Sequence, residues 1–191
     1  AFVGIFHANA AAQTGPAFVL EATALGRRRD LRAYFSGQNL VLCVIGAPLV
    51  VAVCFALAAV VGDPGMGVEA TPIVLAGLGA ALGLGDLFTA ALPYPMVKRA
   101  GTPVFVAAPG YAGHRIGSVL GTLAGTAALA APVIVGAVLA ANGPDAIRIG
   151  VLLPCAAVYG FALAVVGVRL AAKVAENKMP EICQVALRTV A

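Results

Sequence analysis

Charged residues are scarce in this chain of 191 residues: they make up 10% of it, against about 25% in a typical soluble domain. A soluble protein with so few charges could not cover its surface with polar side chains. Hydrophobic residues make up 61% and fall in long uncharged runs, which indicates a bilayer as the solvent. These runs are longer than the ~10-residue alternating segments of a membrane β-strand, so the sequence predicts transmembrane helices.

Motifs for catalysis and metal binding are also absent from the sequence. The chain contains neither the G-x-x-x-x-G-K-[ST] loop that binds nucleotide phosphates nor the H-E-x-x-H zinc motif. No acidic pair lies near His7 or His114, and the four cysteines have no metal-ligand spacing. Ser118 has no candidate base near it in sequence, so we interpret it as a packing residue. We therefore expect no enzyme activity and no catalytic, cofactor-binding or metal-binding residue on this chain.

The hydropathy pattern divides the chain into a polytopic, all-α bundle of four transmembrane helices. The chain begins without Met in an apolar stretch and has no signal-peptide pattern, so we interpret it as a fragment of a longer protein. Residues 1–38 are expected to hold the end of a preceding span or an interfacial segment, and then a basic cytoplasmic helix. Residues 169–191 are expected to form a cytoplasmic tail. The predicted spans are 39–61, 71–92, 117–141 and 149–168.

Lysine and arginine are distributed unequally around these spans. Of the twelve, one (Arg148) lies in loops on one side, and eleven lie on the other. The positive-inside rule places the eleven, and both ends of the chain, in the cytoplasm. The net charge of +4 then reflects the orientation of the chain in the membrane. We expect the chain to contact a lipid bilayer and not to bind nucleic acid. The eleven are Arg27, Arg28, Arg29, Arg32, Lys98, Arg99, Arg115, Arg169, Lys173, Lys178 and Arg188.

Glycines recur at every fourth position in two of the predicted spans. Gly79 and Gly83 do so in the second span, and Gly117, Gly121 and Gly125 in the third. Glycines at this spacing form a shallow groove in which two helix backbones can approach closely. The pattern fits packing within one bundle, and it also fits a seam between two copies of the chain.

Two further features have both a functional and a structural interpretation. Asp86 is the only charged residue of the second span. In the functional interpretation it lines a polar path or pairs with a basic residue of a neighbouring span; in the structural one it reaches the interface or is protonated. The basic run that contains Arg27, Arg28, Arg29 and Arg32 either anchors the chain to anionic lipid or docks a cytoplasmic partner.

Several short patterns resemble one known family. Asn9 and Gly15 match the spacing of a family segment that reads Asn-x-Phe-Gly-x-Asp-Gly, although Ala11, Ala12 and Thr14 replace its Phe, Gly and Asp. The other matching patterns are Pro16-Ala17-Phe18, Arg28 with Asp30-Leu31-Arg32, Gly37, Ala47-Pro48, Pro93-Tyr94-Pro95, Arg169-Leu170-Ala171 and Pro180-Glu181. On these patterns the chain resembles the C-terminal part of a permease of the type-two ATP-binding-cassette exporters, in the actinobacterial form.

The resemblance implies a membrane-pathway subunit in a bacterial cytoplasmic membrane. Nucleotide would bind a separate ATPase subunit, and a second permease half would complete the transporter. Two other classes remain open from the residues alone. One is a secondary transporter or channel, which would use Asp86 in its pathway. The other is a membrane scaffold or an intramembrane enzyme, and the enzyme would need converging polar residues, which the spans hardly contain.

Overall fold

A computed structural model describes residues 28–98, 105–140, 144 and 148–188. Four long helices dominate it: α1 (Arg28–Val61), α2 (Pro64–Ala91), α3 (Ala112–Ala140) and α4 (Leu153–Arg188). Each is long and apolar enough to cross a membrane. The predicted all-α bundle with four spanning helices is therefore confirmed. Residues 1–27 of the predicted segment 1–38, which include Arg27, lie outside the described residues.

The helices are longer than the predicted spans. α1 continues without a break from the basic segment into the span, so that segment is not a separate helix. Residues 169–188, expected as a tail, continue α4, which has 36 residues and a length of about 54 Å. Since the hydrocarbon core is only ~30 Å thick, α4 extends well beyond it. Hydropathy located the apolar part of each helix, but polar residues can continue a helix into water.

The turn between α1 and α2 is tighter than the predicted loop over 62–69. Gly62 has a φ of +79°, a conformation that glycine adopts without strain. Asp63 caps α2, since its carboxylate accepts hydrogen bonds from the backbone N–H groups of Gly65 and Met66. Pro64 takes the first helical position, where its missing N–H leaves no donor unsatisfied. These turn-forming residues therefore start the helix at residue 64.

α2 is the central helix of the bundle and the most buried of the four. It packs most extensively against α4 and also contacts α1 and α3. The other helices expose many large apolar side chains, among them Leu40, Val44, Leu139 and Phe161. Exposed apolar surface of this extent suits contact with lipid or with other membrane helices.

α2 and α4 cross at a set of glycines. A Cβ added to Gly83 would lie 2.6 Å from the carbonyl oxygen of Leu163, and one added to Gly160 would lie 2.8 Å from that of Leu75. Gly79 faces the backbone of Gly160 in the same way. Backbone contacts this close are possible only where both helices carry small residues.

α3 contacts α2 through a different arrangement, in which large side chains meet glycines. The nearest side chain to Gly125 is that of Leu84, and the nearest to Gly121 is that of Phe88. Gly117 faces Leu92 one turn further along. The ridge of side chains on α2 thus fills the groove formed by the α3 glycines, as in ordinary ridge-and-groove packing.

A short antiparallel ribbon lies in the connection between α2 and α3. Its strands are β1 (Met96–Lys98) and β2 (Phe105–Ala107), with Val97 opposite Val106. A π-helical turn over Arg148–Leu152 leads into α4. The ribbon is too small to change the all-α class of the fold.

Candidate functional site: a buried Asn–Asp pair beside an α1–α4 groove

Two polar side chains meet inside the bundle between α1 and α2. Asn39 Nδ2 donates a hydrogen bond to Asp86 Oδ2 over 2.6 Å. Asp86 is 0% exposed and Asn39 is 6% exposed. A carboxyl group buried this deeply is costly unless it is hydrogen-bonded, so the Asn39 amide stabilises Asp86 in this position.

A groove runs beside this pair, between α1 and α4. Its volume is about 700 Å³. Polar side chains line one end, namely Arg32 and Ser36 from α1 and Arg169 from α4, whereas Leu40, Phe161 and Val165 give it an apolar wall. Asn39 forms part of the lining, but the fully buried Asp86 lies behind it. We call this cavity the α1–α4 groove, and we call the end of the bundle with Arg32 and Arg169 the basic end.

A smaller cavity of about 150 Å³ continues the groove away from the basic end. The two cavities share Cys43, Phe161 and Ala164 in their linings. The smaller one is lined at its far end by Ala47 and Ala157. Together they follow α1 from Arg32 to Ala47, a distance of about 22 Å along the helix axis.

An apolar cluster holds the basic end together. It is formed largely by residues 28–38 of α1 and residues 169–188 of α4, which we call the α1 extension and the α4 extension. Leu31 and Phe35 of α1 are buried against Ala172, Ala175 and Ile182 of α4. These positions on α4 are spaced i, i+3 and i+10, which places them on one helix face. The α4 extension is therefore an integral part of the bundle, which packs directly against the start of α1.

Lys178 connects the α4 extension to the C-terminal end of α2 by a hydrogen bond. Its Nζ donates a hydrogen bond to the Ala91 carbonyl oxygen over 2.9 Å and lies 3.8 Å from Glu181 Oε2. A cation at a helix C-terminus interacts favourably with the unsatisfied carbonyls and with the helix dipole. Because Glu181 is exposed, the bond to Ala91 is the stronger of the two contacts.

The predicted site residues fall into three groups in the structure. The glycines lie at helix contacts within the chain, as described above, and Asp86 lies behind the groove wall. In the basic segment, Arg29 and Arg32 are exposed, whereas Arg28 is partly buried. The structure brings Arg32 together with Arg169, a residue 137 positions away in the sequence, at one end of the groove.

Sequence reasoning missed Asn39 as a partner of Asp86 and Arg169 as a partner of Arg32. In the sequence Asn39 is only the first residue of a predicted span, and an amide at a span boundary is an ordinary feature. A signal was nevertheless present, since a polar residue just inside an apolar run often hydrogen-bonds another polar residue in the bundle.

No protein-family model, curated protein or solved structure matches this chain. Among the described residues, no group of three or more His, Cys, Asp or Glu side chains could hold a metal ion. The arrangement at the basic end and in the groove is therefore the basis for a functional proposal.

Proposed function

We propose that this chain is a membrane-pathway subunit of an ATP-binding-cassette exporter and couples to a separate ATPase subunit. The observation that carries the proposal is the basic end of the bundle. There the extensions of α1 and α4 share one buried cluster, around Leu31 and Phe35, and both helices continue directly into the membrane-spanning region. A force applied to this end would be transmitted to two spanning helices at once.

The outer surface of the basic end is suited to a partner protein. Arg29 is exposed on α1 and Lys173 is exposed on α4, and neither of them lines the α1–α4 groove. Exposed basic residues on a rigid base provide electrostatic complementarity for an acidic partner surface. The sequence contains no nucleotide-binding loop of its own, which agrees with a division of labour between a permease and an ATPase.

The proposal includes a location and a second membrane partner. The excess of arginine and lysine at the basic end favours an orientation with this end in the cytoplasm of a bacterial cell. A second permease half, identical or different, would complete the pathway, and ATP would be bound by the ATPase partner. The resemblance of the sequence to type-two exporter permeases supports both points.

The test is to purify the full-length protein in mild detergent and to identify what co-purifies. We expect a subunit with a Walker motif in stoichiometric amount and ATP hydrolysis by the purified complex. Arg29→Glu should weaken the association, whereas Arg115→Glu, which makes the same charge change at the start of α3, should not. Purification of the protein alone, with transport that does not depend on nucleotide, would refute the proposal.

The buried Asn39–Asp86 pair favours a second candidate, a secondary transporter or channel subunit that uses Asp86 in its pathway. Ionisable residues inside membrane bundles often take part in ion or proton pathways. In that case Asp86→Asn would abolish proton- or ion-dependent transport in reconstituted vesicles while the protein remained folded. Unchanged transport in a folded Asp86→Asn variant would exclude this candidate.

A further inference from the structure

We propose that the α1–α4 groove is a binding site for one anionic phospholipid from the leaflet at the basic end. The phosphate would lie between Arg32 and Arg169, and one acyl chain would lie along the apolar wall. This inference goes beyond the proposed function and does not depend on it, because a bound lipid requires neither an ATPase partner nor a transport cycle.

The charge at the basic end of the groove suits a phosphate. Arg32 and Arg169 approach the groove from two different helices, and neither forms an ion pair with a described residue. Two guanidinium groups at one end of a cavity provide several N–H donors for a phosphate, which arginine binds well because of its planar fork. Ser36 adds a hydroxyl to the same end. Asp86 is sealed behind Asn39, so its carboxyl group is not exposed to the bound phosphate.

The length of the apolar wall also fits a lipid. The groove and the smaller cavity that continues it together extend along α1 from Asn39 to Ala47, a distance of about 12 Å along the helix. Half of a ~30 Å hydrocarbon core is about 15 Å, so the two cavities together reach most of the way through one leaflet. The positions of the arginines and of the apolar wall along the helix therefore correspond to the headgroup and the chain of a single lipid.

The groove is accessible from the side of the bundle. Leu40 is 65% exposed and Phe161 is 71% exposed, and both line the groove. The groove is therefore open toward the hydrophobic surface of the bundle, where lipid chains lie. A soluble anion would enter from the aqueous end and gain nothing from this apolar wall, whereas a phospholipid would contact both parts.

The test compares lipids bound to the purified full-length protein by native mass spectrometry. The protein is delipidated and then exposed to equal amounts of phosphatidylglycerol and phosphatidylcholine, with glycerol phosphate as a probe for headgroup binding alone. We expect one phosphatidylglycerol to be retained preferentially. The variant Arg32→Gln/Arg169→Gln should bind phosphatidylglycerol roughly 30-fold more weakly than the unaltered protein, since each of the two basic residues contributes to the attraction.

A matched control removes two positive charges at the same end but outside the groove. The variant Arg29→Gln/Lys173→Gln should keep the preference for phosphatidylglycerol. Cys43→Phe should reduce retention without a change in charge, because the larger side chain fills the apolar part of the groove.

Three results would overturn the proposal. Equal losses in the two charge variants would indicate general attraction to anionic lipid, without a site. Binding of glycerol phosphate as strong as that of the lipid would indicate an anion site. An absence of preferential retention in the unaltered protein, for example because another segment of the chain fills the groove, would exclude a lipid at this position.

Discussion

Asn39 donates a hydrogen bond to Asp86 across 47 positions of the sequence and joins α1 to α2 inside the bundle. The bond lies next to the α1–α4 groove, and Asn39 forms part of the groove wall. The hydrogen bond therefore contributes to holding α1 in its position beside α2. A change in this contact is expected to affect both the stability of the bundle and the shape of the groove.

A double-mutant cycle would measure the strength of this contact. Asn39→Leu should destabilise the protein because it leaves a buried carboxyl group without this donor. Asp86→Leu should also destabilise the protein, because it leaves the buried amide N–H of Asn39 without this acceptor. In Asn39→Leu/Asp86→Leu part of the loss should be recovered, with a coupling energy of about 1–2 kcal/mol, near the upper end for interhelical hydrogen bonds in membranes.

The measurement for this cycle is thermal stability in detergent, followed by size-exclusion chromatography of the heated protein. Additive effects in the double variant would show that the hydrogen bond contributes no coupling energy. The fold would then depend on apolar packing alone at this position.

The glycine crossing between α2 and α4 should tolerate no larger residue. Gly83→Ala places a methyl group against the Leu163 carbonyl oxygen, and Gly160→Ala places one against that of Leu75. Because these contacts are with backbone atoms, the helices must separate, at a cost of about 1–3 kcal/mol. Gly37→Ala is the matched control, since an added Cβ there meets nothing within 4 Å. Equal melting temperatures for Gly83→Ala and Gly37→Ala would contradict the prediction.

The contact between α2 and α3 should be more tolerant. Gly125→Ala would bring a methyl group 2.7 Å from Leu84 Cδ1, which is the end of a flexible side chain. Leu84 can rotate away, so we expect a smaller loss of thermal stability than for Gly83→Ala. A comparison of the two variants in the same detergent would check this order, and a greater loss for Gly125→Ala would show that α3 is the more rigidly packed helix.

The sequence predicted the number and type of the helices because a bilayer requires long apolar runs, and such runs are local in sequence. It did not predict that α1 begins at Arg28 or that α4 continues to Arg188. Polar segments in water are stable as helices mainly where tertiary packing stabilises them. Here the apolar cluster of Leu31, Phe35 and Ile182 stabilises the helical conformation of both segments.

The candidate site was predictable only in part. Asp86 and the basic segment are conspicuous in the sequence because charges are so scarce there. Their neighbours were not predictable, because the partners Asn39 and Arg169 come from other helices, and the pairing depends on how deeply each helix is inserted and how it is rotated. The glycine spacing indicated which faces of α2 and α3 are smooth, but not that Gly79 and Gly83 meet α4.

The hydrogen bond from Lys178 to the Ala91 carbonyl oxygen should stabilise the contact between α4 and the end of α2. Lys178→Met removes the cation at the C-terminus of α2 and leaves the Ala91 carbonyl oxygen without this donor. We expect a loss of about 1 kcal/mol and faster hydrogen exchange in the last turn of α2. Glu181→Gln should change little, since an exposed ion pair contributes little energy. Lys173→Met is the control for the loss of a lysine, because Lys173 is exposed on the same helix. If Lys173→Met and Lys178→Met increase exchange equally, the effect comes from net charge, and the α4 extension is not fixed to α2 by this bond.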